Sequence, residues 1–377
     1  MCPSVLLPAY LLVLSLLTGQ LFTQISCDPP EREPCSAPVA AAPAGRAPLR
    51  AVSLGFDDVQ RTPEQLAGLD TQMSRSGVTA VGVSAGRADW TTFPWPAAPD
   101  AWSAPVRADG HDLFGDAIRV LGAGKYTSAV VDVFAERYLA AHPDLAARDS
   151  SGQRVPYQAS TVELVNGELG RRLLAMIDYL ARTYPIDSVD LTELQYHSEG
   201  FGEDDKQAYL AATGHSDWPR DSSGAIAVDD PSIGRWRSGL IADFVRRAAD
   251  IVHAQHKELI VDVRVSRDDP SRDGEENGQC YRALLVHADR LLVWNYFGLA
   301  SGSPEDTRKL AKHLSQLGRG RFIMSIGLWG PDNSVVGPDD LTIALRSSER
   351  GGVPDEWVTP YGLMTDVHWK ALAFNWT

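Results

Sequence analysis

The sequence predicts a (β/α)8 barrel, and three observations carry that prediction. Eight short apolar runs recur between residues 49 and 367, and stretches of helical periodicity lie between them. No glycine-rich phosphate loop follows the first run, where "GFDDVQR" (55–61) stands instead, so an open doubly wound sheet is disfavoured. Strands alternating with helices make a parallel sheet, and eight such units close it.

The runs, in order, are "LRAVSLGFDD" (49–58), "VTAVGVSA" (78–85), "TSAVVDVFAE" (127–136), "DSVDLTEL" (187–194), "ELIVDVRVS" (258–266), "RLLVWNYF" (290–297), "RFIMSIGLW" (321–329) and "YGLMTDV" (361–367). Helices are predicted over 63–75, 167–182, 233–256, 304–317 and 339–350. In the longest, Ile233, Trp236, Leu240, Phe244, Ile251 and Val252 recur at helical spacing and make one apolar face. Thr62-Pro63 and Ser303-Pro304 each pair a capping side chain with proline at the first helical position. The barrel domain is therefore placed at 49–377.

Two segments precede it. Residues 5–22, "VLLPAYLLVLSLLTGQLF", form an apolar run of export-signal type, and Ser26–Cys27 resembles a lipoprotein cleavage site. An uncleaved anchor is the competing reading, although 18 residues interrupted by Pro and Gln are marginal for a span. Either way residues 1–27 are a leader and the body is expected outside the cytoplasm, secreted or as a cell-surface lipoprotein tethered to the membrane through its N-terminus. Residues 28–48 are rich in Pro and Ala, lack periodicity and read as a disordered linker. Cys2, Cys27 and Cys35 fall in this leader region and Cys280 alone in the body, with no Cys/His pair at metal spacing. No metal or cofactor is implied.

A net charge of -14 without a basic stripe argues against nucleic acid. Ten tryptophans and eleven tyrosines supply flat faces of the kind that hold sugar rings. The decisive stretch is "IDSVDLTELQYHSEGF" (186–201). A strand buried on both faces is normally Val, Ile and Leu, yet this one carries Asp187, Asp190 and Glu193. In a barrel the C-terminal strand ends carry the chemistry, which gives these residues a purpose. Asp58, Asp132, Glu136, Asp190, Glu193, Asp262, Arg264, Asn295 and Asp366 all fall at or near such ends. Several carboxylates gathered on one rim repel one another and need a polar substrate or partners.

The chain resembles the family-10-like glycosyl hydrolases of bacterial envelopes, which are distinct from the family 10 xylanases. The resemblance rests on "HPDLAARDSSGQRV" (142–155), "DSVDLTELQYH" (187–197), "FGEDDKQAYLAATG" (201–214), "HADRLLVWNYFG" (287–298), "SIGLWG" (325–330) and "TPYGLMTDVHW" (359–369), and spans roughly 50–372. The family's "DGIHLDYIRYP" becomes "DSVDLTELQYH" here, with Asp190 in place of its His, Thr192 of its Asp and Glu193 of its Tyr. In the related hydrolase domain that cuts partly deacetylated poly-N-acetylglucosamine, the strand ends in "HDD", whose first Asp falls on Glu193. Family 18 chitinases end it in "DGIDLDWE", which places their acid one residue beyond Glu193.

Glycosidic cleavage uses a general acid plus a second carboxylate, a nucleophile roughly 5 Å away or a base for water at roughly 6.5–9.5 Å. Glu193 is the expected acid; Asp132, Asp190 and Asp262 are the other catalytic candidates, with Glu136 also weighed for the second role. Strict alternation sends Asp190 and Glu193 to opposite faces, so a twist or bulge at the strand end is required. Tyr196, His197, Trp294, Asn295, Tyr296, Trp329 and Trp369, with Asp58, Glu136, Arg264 and Asp366, are the candidate substrate-binding residues. The expected function is an exported glycoside hydrolase acting on a polysaccharide or oligosaccharide by carboxylate acid/base catalysis. The alternatives are a non-catalytic carbohydrate-binding barrel or a chitinase-like, substrate-assisted N-acetylhexosaminidase. A metal-dependent esterase or deacetylase is disfavoured because no His/Asp cluster is spaced for it. The charges of "SRDDPSRDGEEN" (266–277) read as a solvated loop.

Overall fold

The computed structural model describes residue 35 and residues 38–42, 45–266, 273–300 and 302–377. The leader at 1–27 and most of the "SRDDPSRDGEEN" loop (267–272) lie outside the described residues. Eleven strands are described. They are β1 (Arg50–Leu54), β2 (Ala80–Arg87), β3 (Trp90–Thr91), β4 (Tyr126–Asp132), β5 (Ala146–Arg148), β6 (Arg154–Ala159), β7 (Ser188–Thr192), β8 (Glu258–Arg264), β9 (Arg290–Asn295), β10 (Phe322–Gly327) and β11 (Glu356–Thr359). Eight of them pair in parallel in the order β1-β2-β4-β7-β8-β9-β10-β11, and β11 returns to β1 through Ala51 opposite Trp357. The sheet is closed, and the fold is a (β/α)8 barrel. Strand β3 adds antiparallel to β2, and β5 and β6 form a separate hairpin.

The helices are α1 (Pro63–Arg75), α2 (Ala104–Asp109), α3 (Leu113–Leu121), α4 (Glu136–Ala141), α5 (Thr161–Asn166), α6 (Glu168–Thr183), α7 (Glu203–Thr213), α8 (Pro231–His253), α9 (Tyr281–Leu284), α10 (Thr307–Leu317), α11 (Pro338–Gly351) and α12 (Asp366–Trp376). Thr62 and Gln65 form a reciprocal capping box at the start of α1, and Ser303 and Asp306 form one ahead of α10. The α8 stripe packs as its periodicity requires, with Ile233, Trp236, Phe244 and Val252 buried and Leu240 and Ile251 partly so.

Strand alternation divides the core in two. Val52, Val81, Ala129, Val131, Val189 and Leu191 face the helices, whereas Ala51, Ala80, Val130, Ile260, Leu292, Ile323 and Trp357 fill the lumen. The Trp357 indole lies so close to β2 that a Cβ on Gly82 would stand 2.1 Å from it, so this position tolerates no side chain.

The last strand differs from expectation. Residues 361–367 are not a strand: 361–363 form a single 3-10 turn, and α12 starts at Asp366. The strand is the four-residue "EWVT" just before, too short to show a period, and Pro360 ends it because proline cannot donate to the ladder. Part of the expected linker is docked rather than free. Cys35 is disulfide-bonded to Cys280, Val39 packs on the core, and the Ala42 N–H bonds Arg319 O at 3.0 Å. Arg46 pairs with Glu258 at 3.3 Å, at the opening end of β8.

Candidate active site

Strand β7 sets the site. Val189 and Leu191 pack outward, and Asp190 points into the lumen between Val130 and Ile260 of its neighbours. Continued alternation would turn Glu193 outward, but β7 stops at Thr192 and Glu193 takes a φ of +63°. A positive φ at a residue with a Cβ costs about 1–2 kcal/mol. That strain supplies the break in alternation which the sequence required, and Glu193 opens into a cleft of about 830 Å³ at the barrel mouth. Phe134, Tyr157, Gln158, His197 and Arg264 share its wall.

Beneath the cleft, Asp190 is 2% and Asp262 8% exposed. Neither Asp190 Oδ1 nor Asp262 Oδ1 has a donor among the described residues. Burial and then the neighbouring Asp262 charge drive the Asp190 carboxyl well above its ordinary range, which favours its protonated form. That proton satisfies the pair when Asp190 donates it to Asp262. Burial pushes Asp262 up to about 6, opposed by hydrogen bonds from Thr192, Trp294 and Asp190; the Trp294 Nε1–H reaches Asp262 Oδ2 at 3.0 Å. Glu193 is raised to about 7, first by burial and then by the Asp132 charge, against the pull of Arg264. Asp132 ends β4 and is raised by burial, while Arg87 Nε at 2.7 Å and the Phe134 N–H at 2.8 Å hold it the other way. The four carboxyls expected to be catalytic thus converge on one mouth from β4, β7 and β8, each raised above its ordinary range by burial. This is the arrangement acid/base chemistry needs: one carboxyl protonated near neutral pH beside another that ionises.

On the β9 side a second cavity of about 650 Å³ adjoins the first at Arg264 and Val265. Trp294 and Tyr296 stack at 5.3 Å and 12°, and Tyr296 meets Trp329 at 5.1 Å. The Arg264 guanidinium lies over the Trp294 ring at 5.3 Å. Asn295 also lines this cavity, although its amide is engaged by Thr307 Oγ1 at 2.7 Å.

Other expected residues are placed elsewhere. Tyr196 is wholly buried with its hydroxyl on Ala159 O at 2.8 Å, because the chain after Glu193 dives into the core. Asp366 is exposed in the first turn of α12 and Trp369 packs in the core, both consequences of the displaced last strand. Glu136 is exposed at the start of α4. Asp58 is occupied within its own turn, accepting from Gly55 N at 3.1 Å and pairing with Arg61 at 3.2 Å. His197 pairs with Asp229 at 3.0 Å on the cleft wall.

Sequence reasoning missed Arg87, whose partner lies 45 residues away, and the β5–β6 hairpin that delivers Tyr157 and Gln158 to the cleft. A signal for the hairpin existed: "DSSG" (149–152) is turn chemistry, and Asp149 accepts from Ser151 N at 2.8 Å and Gln153 N at 2.9 Å. Among the described residues no group of three or more His, Cys, Asp or Glu side chains is placed to hold a metal ion, and no helix is long and apolar enough to cross a membrane.

No family model and no curated protein matches this sequence. Solved structures do. The glycoside hydrolase domain of PgaB (BpsB) from Bordetella bronchiseptica superposes with a TM-score of 0.64 at 16% identity, over 87% of this chain and 98% of that one. The catalytic domain of beta-amylase from Paenibacillus polymyxa does so at 0.60 and 9%, over 87% and 97%. A chitinase from Chromobacterium violaceum gives 0.50 and 12%, over 86% and 98%. At these identities the likeness is one of fold: the chain shares the (β/α)8 barrel of these structures.

Proposed function

We propose that the protein is an exported glycoside hydrolase acting on a polysaccharide, with Glu193 as general acid and Asp262 as the second carboxylate. One observation carries this reading above the others: Glu193 is held at a strained backbone position, its carboxyl raised to about 7, over the buried Asp190 and Asp262 carboxyls. A carboxyl near 7 donates a proton to a leaving oxygen at neutral pH and takes one back from water. Asp262, pushed only to about 6 and stabilised by Trp294, is the ionised partner. Asp190, its carboxyl pushed up by burial, serves Asp262 as a donor in its protonated form. Asp132 and Arg87 set the charge that Glu193 feels. The aromatic cavity supplies apolar faces for a sugar ring, and Arg264 stands where the two cavities join. The glycosidase-type barrel supports the reaction class, and the Cys35–Cys280 disulfide supports an oxidising, extracytoplasmic setting.

The test is a screen of β-linked amino-sugar and neutral polysaccharides for new reducing ends, run with wild type and Glu193→Gln side by side. Cleavage lost in the variant is the expected result. Saturable binding of a glycan without turnover by wild type would instead indicate a carbohydrate-binding barrel. Dependence of turnover on the substrate's N-acetyl group would indicate the substrate-assisted route.

A further inference from the structure

Residues 194–200 follow Glu193 without helix or strand, yet buried side chains from distant elements hold their carbonyls. Gln158 Nε2 donates to Gln195 O at 2.6 Å, and Arg237 donates to the carbonyls of Tyr196, His197, Glu199 and Gly200. Gln279 differs from both in what it joins. Its Nε2 donates to Leu194 O and to Asp262 O, each at 2.9 Å, and its Oε1 accepts the Arg264 N–H at 2.9 Å. The residue is 1% exposed. Two donors and an acceptor at one point is the inventory of a primary amide, and no other side chain of that length provides it. The three bonds clip the Leu194–Gln195 peptide, one residue past Glu193, to the end of β8, on either side of Val263. Gln279 is itself fixed, since its N–H bonds Gly274 O at 3.0 Å and its neighbour Cys280 is bonded to Cys35.

We propose that Gln279 is a positioning residue that sets the Glu193 carboxyl against Asp262 and Arg264 by fixing the Leu194 carbonyl to β8. The proposal rests on the reading of Glu193 as the acid. The backbone at Glu193 is strained, so it relaxes toward ordinary extended geometry unless the next carbonyl is held. Release of Leu194 O removes that hold. The carboxyl then swings out of its buried setting while the strands themselves remain paired.

The test uses the full chain with its disulfide intact and glutamate labelled at the carboxyl carbon with 13C. The Glu193 signal is assigned by its absence in Glu193→Gln. In Gln279→Met, which keeps the length but none of the donors, the Glu193 midpoint should fall by about one pH unit or more toward the ordinary range. On any substrate that wild type cleaves, kcat should fall about 10–100-fold with KM within about threefold, as expected for misplacement on the order of 1 Å. Gln279→Asn, whose amide is one methylene short, should lie between, and it decides the question where Gln279→Met does not fold. Tyr196→Phe, which removes the hydroxyl that holds the same loop to Ala159 O at 2.8 Å without touching β8, should leave the Glu193 midpoint in place. A folded Gln279 variant with the wild-type midpoint overturns the proposal, as does an equal shift in Tyr196→Phe, which would mean general loosening. If wild type cleaves no glycan, the hydrolase reading fails while the titration still decides whether Gln279 positions Glu193.

Discussion

Replacing Glu193 by Gln removes one ionisable group and leaves the shape of the side chain, so activity and stability should both report on the same proton. As the general acid, Glu193 is worth about 10²–10⁴ in rate, and kcat should fall by that factor. In the wild type, Glu193 near 7 sets the alkaline limb of kcat/KM, and the Asp190–Asp262 pair sets an acid limb near 6. Limbs that close make a narrow bell. About 60% of the enzyme is correctly protonated at pH 6.5 and about 3% at pH 8.5. The stability effect has the opposite sense from that of an ordinary salt-bridged carboxylate. Glu193 rises from 4.5 in the unfolded chain to about 7 in the folded one, so the folded state holds the proton more tightly. The native protein therefore loses stability as pH climbs from 4.5 through 7, and below 4.5 there is no such penalty. At about 1.4 kcal/mol per tenfold change in proton affinity, the loss is up to about 3 kcal/mol. Glu193→Gln carries no proton and escapes it. Urea melts at pH 4 and pH 8 should show the variant close to wild type at the lower pH and up to about 3 kcal/mol more stable at the higher. Reducing-end assays on the same preparations complete the measurement. Near wild-type turnover in the variant would refute the assignment of the acid, and parallel stability curves would refute the buried, raised carboxyl.

Trp294→Phe keeps an aromatic ring but removes the Nε1–H that reaches Asp262 at 3.0 Å; the acid limb should move above 6, and an unmoved limb in the pH profile would place it on another group. Arg87→Met strips Asp132 of its 2.7 Å partner and leaves a buried charge. It should cost up to about 3–5 kcal/mol at pH 8 and less at pH 4, because burial holds the Asp132 carboxyl above its ordinary range and protonation relieves the unpaired charge, as read from melts at the two pH values. Gly82→Ala places a methyl 2.1 Å from the Trp357 indole inside the lumen. A loss of about 1–3 kcal/mol is expected, with altered tryptophan fluorescence, because the strand or the ring must shift to admit the methyl.

Much of this protein is determined by local pattern alone. Seven of the eight barrel strands and the five predicted helices stand where periodicity puts them, because side-chain direction repeats every two or 3.6 residues whatever the chain later packs against. The same rule makes Asp190 a lumen residue, since it follows Val189 and precedes Leu191 on the face away from the helices. It also announces that Glu193 must break the alternation. What the break consists of is decided by tertiary structure, because a positive φ at a glutamate persists only where surrounding groups hold it. Strand β11 was hidden for a related reason: four residues, one of them a tryptophan that fills the lumen, are recognised only once the opposite wall at Gly82 is in place. The Cys35–Cys280 bond joins residues 245 apart, and no spacing rule predicts such a pair. The protonation states likewise belong to the folded molecule. Asp190 and Asp262 are 72 positions apart in the sequence, and each would ionise normally in water. Only closure of the barrel buries them side by side, and burial with a like charge beside it is what keeps a carboxyl neutral.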